Sequence, residues 1–167
     1  PMERVIIFLD GAYFTKGMQA LMGSDFRLRY DKFCRFLAED RALQRVYYYN
    51  AWLRQKDDAH AYAQQQGFVS YLQSLDYFEL RNGRLEGTWP HVRQKGVDVR
   101  IALDMVRLAR DGAYDRAILI SGDSDLVEAV QAVKETGRHV ELAHFDVGGT
   151  RTADQLRKVC DVRRLIT

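Results

Sequence analysis

Two cysteines, Cys34 and Cys160, are all the thiol chemistry this 167-residue chain has, and they are isolated and far apart. Without a C-x-x-C pair, neither a zinc site nor a disulfide framework is expected, and both read as small buried hydrophobes. The four histidines, His60, His91, His139 and His144, show no ligand spacing either. Long apolar runs are also missing. The N-terminal run Val5–Leu9 is far too short for a signal core or a membrane span, so no membrane partner is expected and the default location is the cytoplasm. Repeats, low-complexity tracts and linkers are lacking, and Gly148-Gly149-Thr150 is the one flexible-looking break late in the chain. Pro1, ahead of Met2, is set aside as a remnant of expression. Charge of one sign is scarce: the formal net charge of +2 is too mild to announce a nucleic-acid partner. Basic residues do gather locally, at Arg27, Arg29, Lys32 and Arg35, at Arg81, Arg84, Arg93 and Lys95, and at Arg157, Lys158, Arg163 and Arg164, as solvated faces commonly do.

What is present is the composition of an ordinary globular domain, 47% apolar and 29% charged, which excludes disorder and fibrous classes. Its length suits one domain over residues 2–167. Apolar strand patterns alternate with helical ones. Residues 4–10 form a continuous apolar run ending in an acid, as a strand buried on both faces would. A helix is expected over 30–43, with Phe33, Phe36 or Leu37, and Leu43 inward. The aromatic and β-branched residues 45–52 make a second strand. A polar-faced helix over 57–75 follows, then a strand at 77–81 that turns at Asn82-Gly83 into a hairpin with 84–89. An amphipathic helix over 97–110, a buried strand at 116–121, a helix over 126–136 ended by Gly137, a strand at 139–145 and a helix over 152–159 complete the chain. Strands separated by such helices call for right-handed crossovers and a mostly parallel α/β sheet covered on both faces. In such sheets ligands sit beyond the carboxyl ends of the strands.

Four acids fall where that rule directs attention. Asp10 ends the first strand, Asp123 and Asp125 follow the fourth in Ser121-Gly-Asp-Ser-Asp125, and Asp98 opens the preceding helix. Carboxylates this close repel one another unless a cation lies among them. An all-oxygen ligand set selects a hard ion such as Mg²⁺ or Mn²⁺. Such an ion activates water and stabilises an in-line phosphoryl displacement, so the pattern points to a phosphodiester hydrolase. Each acid also has a structural reading. Asp125 with Glu128 resembles a helix cap, Asp98 a first-turn acid favoured by the helix dipole, and Asp10 before Gly11 a turn residue. Asp104 reads as a buried hydrogen-bonding acid. The coincidence of all four at one edge is what the structural readings explain poorly.

Three segments, Val5–Phe14, Lys95-Gly-Val-Asp-Val-Arg-Ile-Ala-Leu-Asp104 and Ile118-Leu-Ile-Ser-Gly-Asp-Ser-Asp-Leu126, together with the tail at 152–161, resemble the NYN-domain family, in the LabA-like branch of the PIN-like ribonucleases. The resemblance covers nearly the whole chain. It implies a three-layer α/β/α sandwich with a five-stranded parallel sheet, and a Mg²⁺- or Mn²⁺-dependent ribonuclease site at Asp10, Asp98, Asp123 and Asp125. One departure is Tyr13, where the family commonly has Asn. Tyr13 and Phe14 are candidates to stack bases beside the metal, and Asn50, Arg54 and Lys56 to line the nucleic-acid strand. Lys95 is a candidate phosphate contact and Ser121 a candidate support for the metal ligands. With rings and cations flanking an acid cleft, single-stranded RNA is the expected substrate. A regulatory nucleic-acid-binding module that cleaves weakly is the alternative. A haloacid-dehalogenase-type phosphatase ranks low, because Asp10-Gly11-Ala12 lacks the second Asp of Asp-x-Asp. A homo-oligomer is compatible with the sequence.

Overall fold

The computed structural model describes residues 2–167; Pro1, set aside above, lies outside them. Strand β1 (Arg4–Asp10) runs directly into helix α1 (Gly11–Met22), followed by α2 (Tyr30–Ala38) and β2 (Ala42–Asn50). Helix α3 (Ala59–Gln73) leads to β3 (Phe78–Asn82), then β4 (Arg84–Thr88) and β5 (His91–Lys95). Helix α4 (Val97–Arg110), β6 (Arg116–Ile120), α5 (Val127–Glu135), β7 (His139–His144), α6 (Asp154–Val159) and β8 (Val162–Leu165) complete the order. The main sheet has six strands in the order β3-β2-β1-β6-β7-β8, and every neighbouring pair is parallel. Strands β4 and β5 form a separate antiparallel pair.

The apolar run of β1 is continuous because both faces of the sheet are covered. Side chains alternate across a strand. Ile6 and Phe8 therefore enter a core with Ile101, Met105 and Tyr114, while Val5, Ile7 and Leu9 enter a second core with Phe14, Tyr30 and Leu72. Helices α1, α2 and α3 cover the second face, and α4, α5 and α6 the first. Full burial of one such Phe or Leu contributes on the order of 2 kcal/mol, so these two cores hold the strand ends in place.

Several expectations are corrected. The sheet has six strands, not five: β8 is an edge strand whose Arg163 and Arg164 break any apolar run. The hairpin lies one strand later than expected, joining β4 to β5 through Trp89-Pro90, while Gly83 only links β3 to β4. Helix α2 stops at Ala38, and β2 begins at Ala42, so Leu43 belongs to the sheet. Within α2 it is Leu37 that is buried, whereas Phe36 is 68% exposed. Helix α1 was not anticipated, since Gly11 and Gly17 are poor helix residues. Packing explains both: a Cβ on Gly11 would lie 2.6 Å from Tyr48 Cε1, and one on Gly17 would lie 2.3 Å from Phe145 Cδ2.

Candidate active site

Parallel pairing of β1 with β6, with Leu9 opposite Ile120, brings the ends of both strands to one edge. Asp10, the last residue of β1, caps α1: one carboxylate oxygen accepts from the Tyr13 N–H at 3.3 Å. The other accepts from the Ser121 hydroxyl at 3.5 Å, and Ser121 is itself fully buried. Burial raises the Asp10 pKa from 3.8 to about 6, and the nearby charge of Asp123 pushes in the same direction.

Beyond β6 the chain makes a short 3₁₀ turn, Ser124–Leu126. Asp123 caps it by accepting from the Asp125 N–H at 2.8 Å, while its own N–H donates to Ser121 Oγ at 3.4 Å. The capping residue is thus Asp123, not Asp125. Asp98 is the second residue of α4, a helix started by Gly96 at φ 87°, a left-handed conformation that favours glycine. Burial raises the Asp98 pKa to about 7, followed by a hydrogen bond and charge from Asp123, then by the charges of Asp10 and Asp125.

Carboxylate oxygens of Asp98, Asp123 and Asp125 all lie within 4.8 Å of one another. Asp10 stands outside this trio, deeper in the fold, and couples to it through charge. Oxygens around an octahedral hard ion are separated by about 3–4 Å, so the trio suits Mg²⁺ or Mn²⁺ with small adjustments. The raised pKa values express burial first and mutual repulsion second, and a bound cation would offset both.

Other candidates fare unequally. Phe14 is fully buried and cannot stack on a base. Tyr13 is also committed to structure. Its ring packs 5.5 Å from that of Phe145, and its hydroxyl bonds Thr152 Oγ1 at 2.7 Å and accepts from the Phe145 N–H at 2.8 Å. Arg54 bonds the Asp57 carboxylate and the Gly87 carbonyl, which ties the loop after β2 to the hairpin. Asn50 accepts from the Gln94 side chain at 2.7 Å. Lys95 is exposed and pairs with Glu86 at 3.5 Å beside the depression lined by Asp98 and Asp125. Lys56 is exposed on the loop after β2. Asp104 is buried, accepting from the Tyr49 hydroxyl at 2.9 Å and pairing with Arg107 at 3.1 Å. Sequence reading missed Gly122, where a Cβ would lie 2.5 Å from Tyr13 Cε1 and 2.8 Å from the Arg151 carbonyl. A glycine directly before a functional acid, in Ser121-Gly122-Asp123, is the signal that was available.

The chain matches the NYN domain over residues 4–166, almost its full length. It belongs to the NYN domain family. This is a PIN-like nuclease family, which implies a nuclease-type hydrolase. Among curated proteins, the NYN domain is similar to the uncharacterized protein y4oD of Sinorhizobium fredii, at 33% identity over 87 residues. That match takes in 52% of this chain and 39% of y4oD, so the chain spans well under half of its relative's length. Among solved structures it is similar to a protein of unknown function from Vibrio parahaemolyticus, with a TM-score of 0.76 at 22% identity. The alignment covers 99% of this chain and 94% of that one, a likeness of fold.

Proposed function

We propose that this NYN domain is a metal-dependent endoribonuclease of the LabA-like branch, cutting single-stranded RNA in preference to duplex. The convergence of Asp98, Asp123 and Asp125 within 4.8 Å carries the reading. These three would hold Mg²⁺ or Mn²⁺, with Asp10 completing the set from the buried side. When bound, the ion supplies an activated water and offsets the charge that develops on the phosphoryl group. The rest falls to the chain itself. Ser121 and the α1 N-terminus fix the Asp10 carboxylate, and the cap at Asp123 fixes the loop that carries Asp125. Water is the nucleophile and no covalent intermediate forms. Lys95, beside Asp98 and Asp125, would meet a phosphate, and the exposed Lys56 on the loop after β2 is a second candidate.

The test is cleavage of a labelled single strand with Mn²⁺ by wild type, Asp98→Asn and Asp123→Asn. Each variant should lose activity by about a hundredfold or more, since ligand loss exceeds the 10–100-fold typical of outer positions. Chelation should abolish wild-type activity. A variant that cuts at the wild-type rate refutes the assignment. Tyr13, standing where the family commonly has Asn, favours a second reading, a regulatory RNA-binding module. RNA binding without cleavage in Mn²⁺ would establish it.

A further inference from the structure

A cavity of about 820 Å³ opens between α1, the segment entering α2, the end of β2 and α3. Its walls are aromatic. The Trp52 indole stacks on Tyr48, with ring centroids 6.0 Å apart and planes 17° from parallel. Phe68 meets Tyr48 edge-on at 5.8 Å, and Tyr71 stacks against Phe68 at 6.4 Å. The rim is polar: the exposed Arg27 and Gln64 both line it. Flat apolar faces, an amide able to pair with a ring edge and a free-standing cation make up the chemistry that receives a nucleobase and its phosphate. The volume lies within the roughly 300–1,000 Å³ range of small-ligand sites.

The cavity borders the sheet edge that carries the acids, since Asp10 pairs with Tyr49 between the cavity residues Tyr48 and Asn50. Tyr48 is the ring packed over Gly11, the residue after Asp10. Asn50 also lines the cavity, and it is bonded to Gln94, which lines the depression holding Asp98 and Asp125. We infer that this cavity receives one unstacked nucleobase of the strand whose phosphate lies at the acids. The inference rests on the nuclease reading above and replaces Tyr13 and Phe14 with Trp52 and Phe68 as the stacking surface. A base locked in a duplex cannot enter, which gives the single-strand preference a physical cause.

The chain has two tryptophans, so Trp89→Phe leaves Trp52 as the single indole reporter. In chelator, where nothing is cut, a single-stranded RNA octamer should quench Trp52 fluorescence saturably. Its duplex should quench at least tenfold more weakly. Arg27→Ala, at an exposed position, should keep the wild-type melting temperature and weaken binding about tenfold, as loss of one charged contact would. Ala61→Phe, which fills the cavity, should abolish the quench. Anisotropy of labelled RNA reports binding independently. RNA bound without a quench, an equal quench by duplex, or a full quench in Ala61→Phe overturns the inference. So does a free mononucleotide that binds more tightly than the octamer. The two readings fail separately. Cleavage without a quench removes the base site and leaves the nuclease, whereas a quench without cleavage in Mn²⁺ removes the hydrolase and leaves the base site.

Discussion

Replacing Asp10 by Asn should stabilise the metal-free protein at alkaline pH and do nothing at acid pH. In the folded state the Asp10 carboxyl holds its proton up to about pH 6, against an ordinary value of 3.8. Below pH 4 both folded and unfolded chains are protonated there, and the group contributes no difference. As pH rises from 4 to 6 the unfolded chain ionises first, so stability falls, and above 6 the folded protein carries the full cost of a buried charge. A gap of about two pH units corresponds to roughly 3 kcal/mol. Asp98 acts in the same direction up to about pH 7, with a smaller share because water screens it. Asn caps helices as well as Asp does, so the start of α1 survives the change. The variant should therefore be more stable at pH 8 by about 2–3 kcal/mol, on the order of 5–10 °C for a domain this size. Urea or thermal unfolding in chelator from pH 4 to 8 measures it. Wild type and Asp10→Asn running parallel across that range would refute the electrostatic reasoning.

Mn²⁺ at a hundred times its dissociation constant should stabilise wild type by about 2.7 kcal/mol at pH 7.5, and less at pH 5, where protons compete. Asp123→Asn should abolish that response in a calorimetric scan. Asp104→Ala strands the buried Tyr49 hydroxyl, and should cost about 1–3 kcal/mol while leaving the Mn²⁺ response intact. Tyr13→Phe leaves the Phe145 N–H without its partner, so denaturant melts should show a loss of about 1–3 kcal/mol. Gly122→Ala forces Tyr13 and the Arg151 carbonyl away from the acid loop; Mn²⁺ affinity by titration should drop more than stability does.

Much of the sheet was legible because parallel strands buried on both faces write themselves as apolar runs, as in β1 and β6. Strand β8 was not, since an edge strand with one solvated side needs no such run. Helix α1 was hidden because its glycines answer to Tyr48 and Phe145, contacts made only in the finished fold. The acids were legible for a related reason: a parallel sheet sends every strand end to one side. What Tyr13 does was not, because Thr152 lies 139 positions away and Phe145 132. The aromatic cavity draws on four separate segments, none with a periodic signal of its own.

The central pairing of β1 with β6 has a kinetic meaning. Asp10 and Ser121 touch across a sequence separation of 111, and most of these residues lie in the loop that this contact closes. Contacts of such long sequence separation form late and slow folding. A chain emerging from the ribosome carries Asp10 before Asp98, yet has nothing to assemble them against until β6 follows. The carboxylate cluster thus comes into being only once β6 and the turn that follows it have been made, and a product truncated before them cannot contain it.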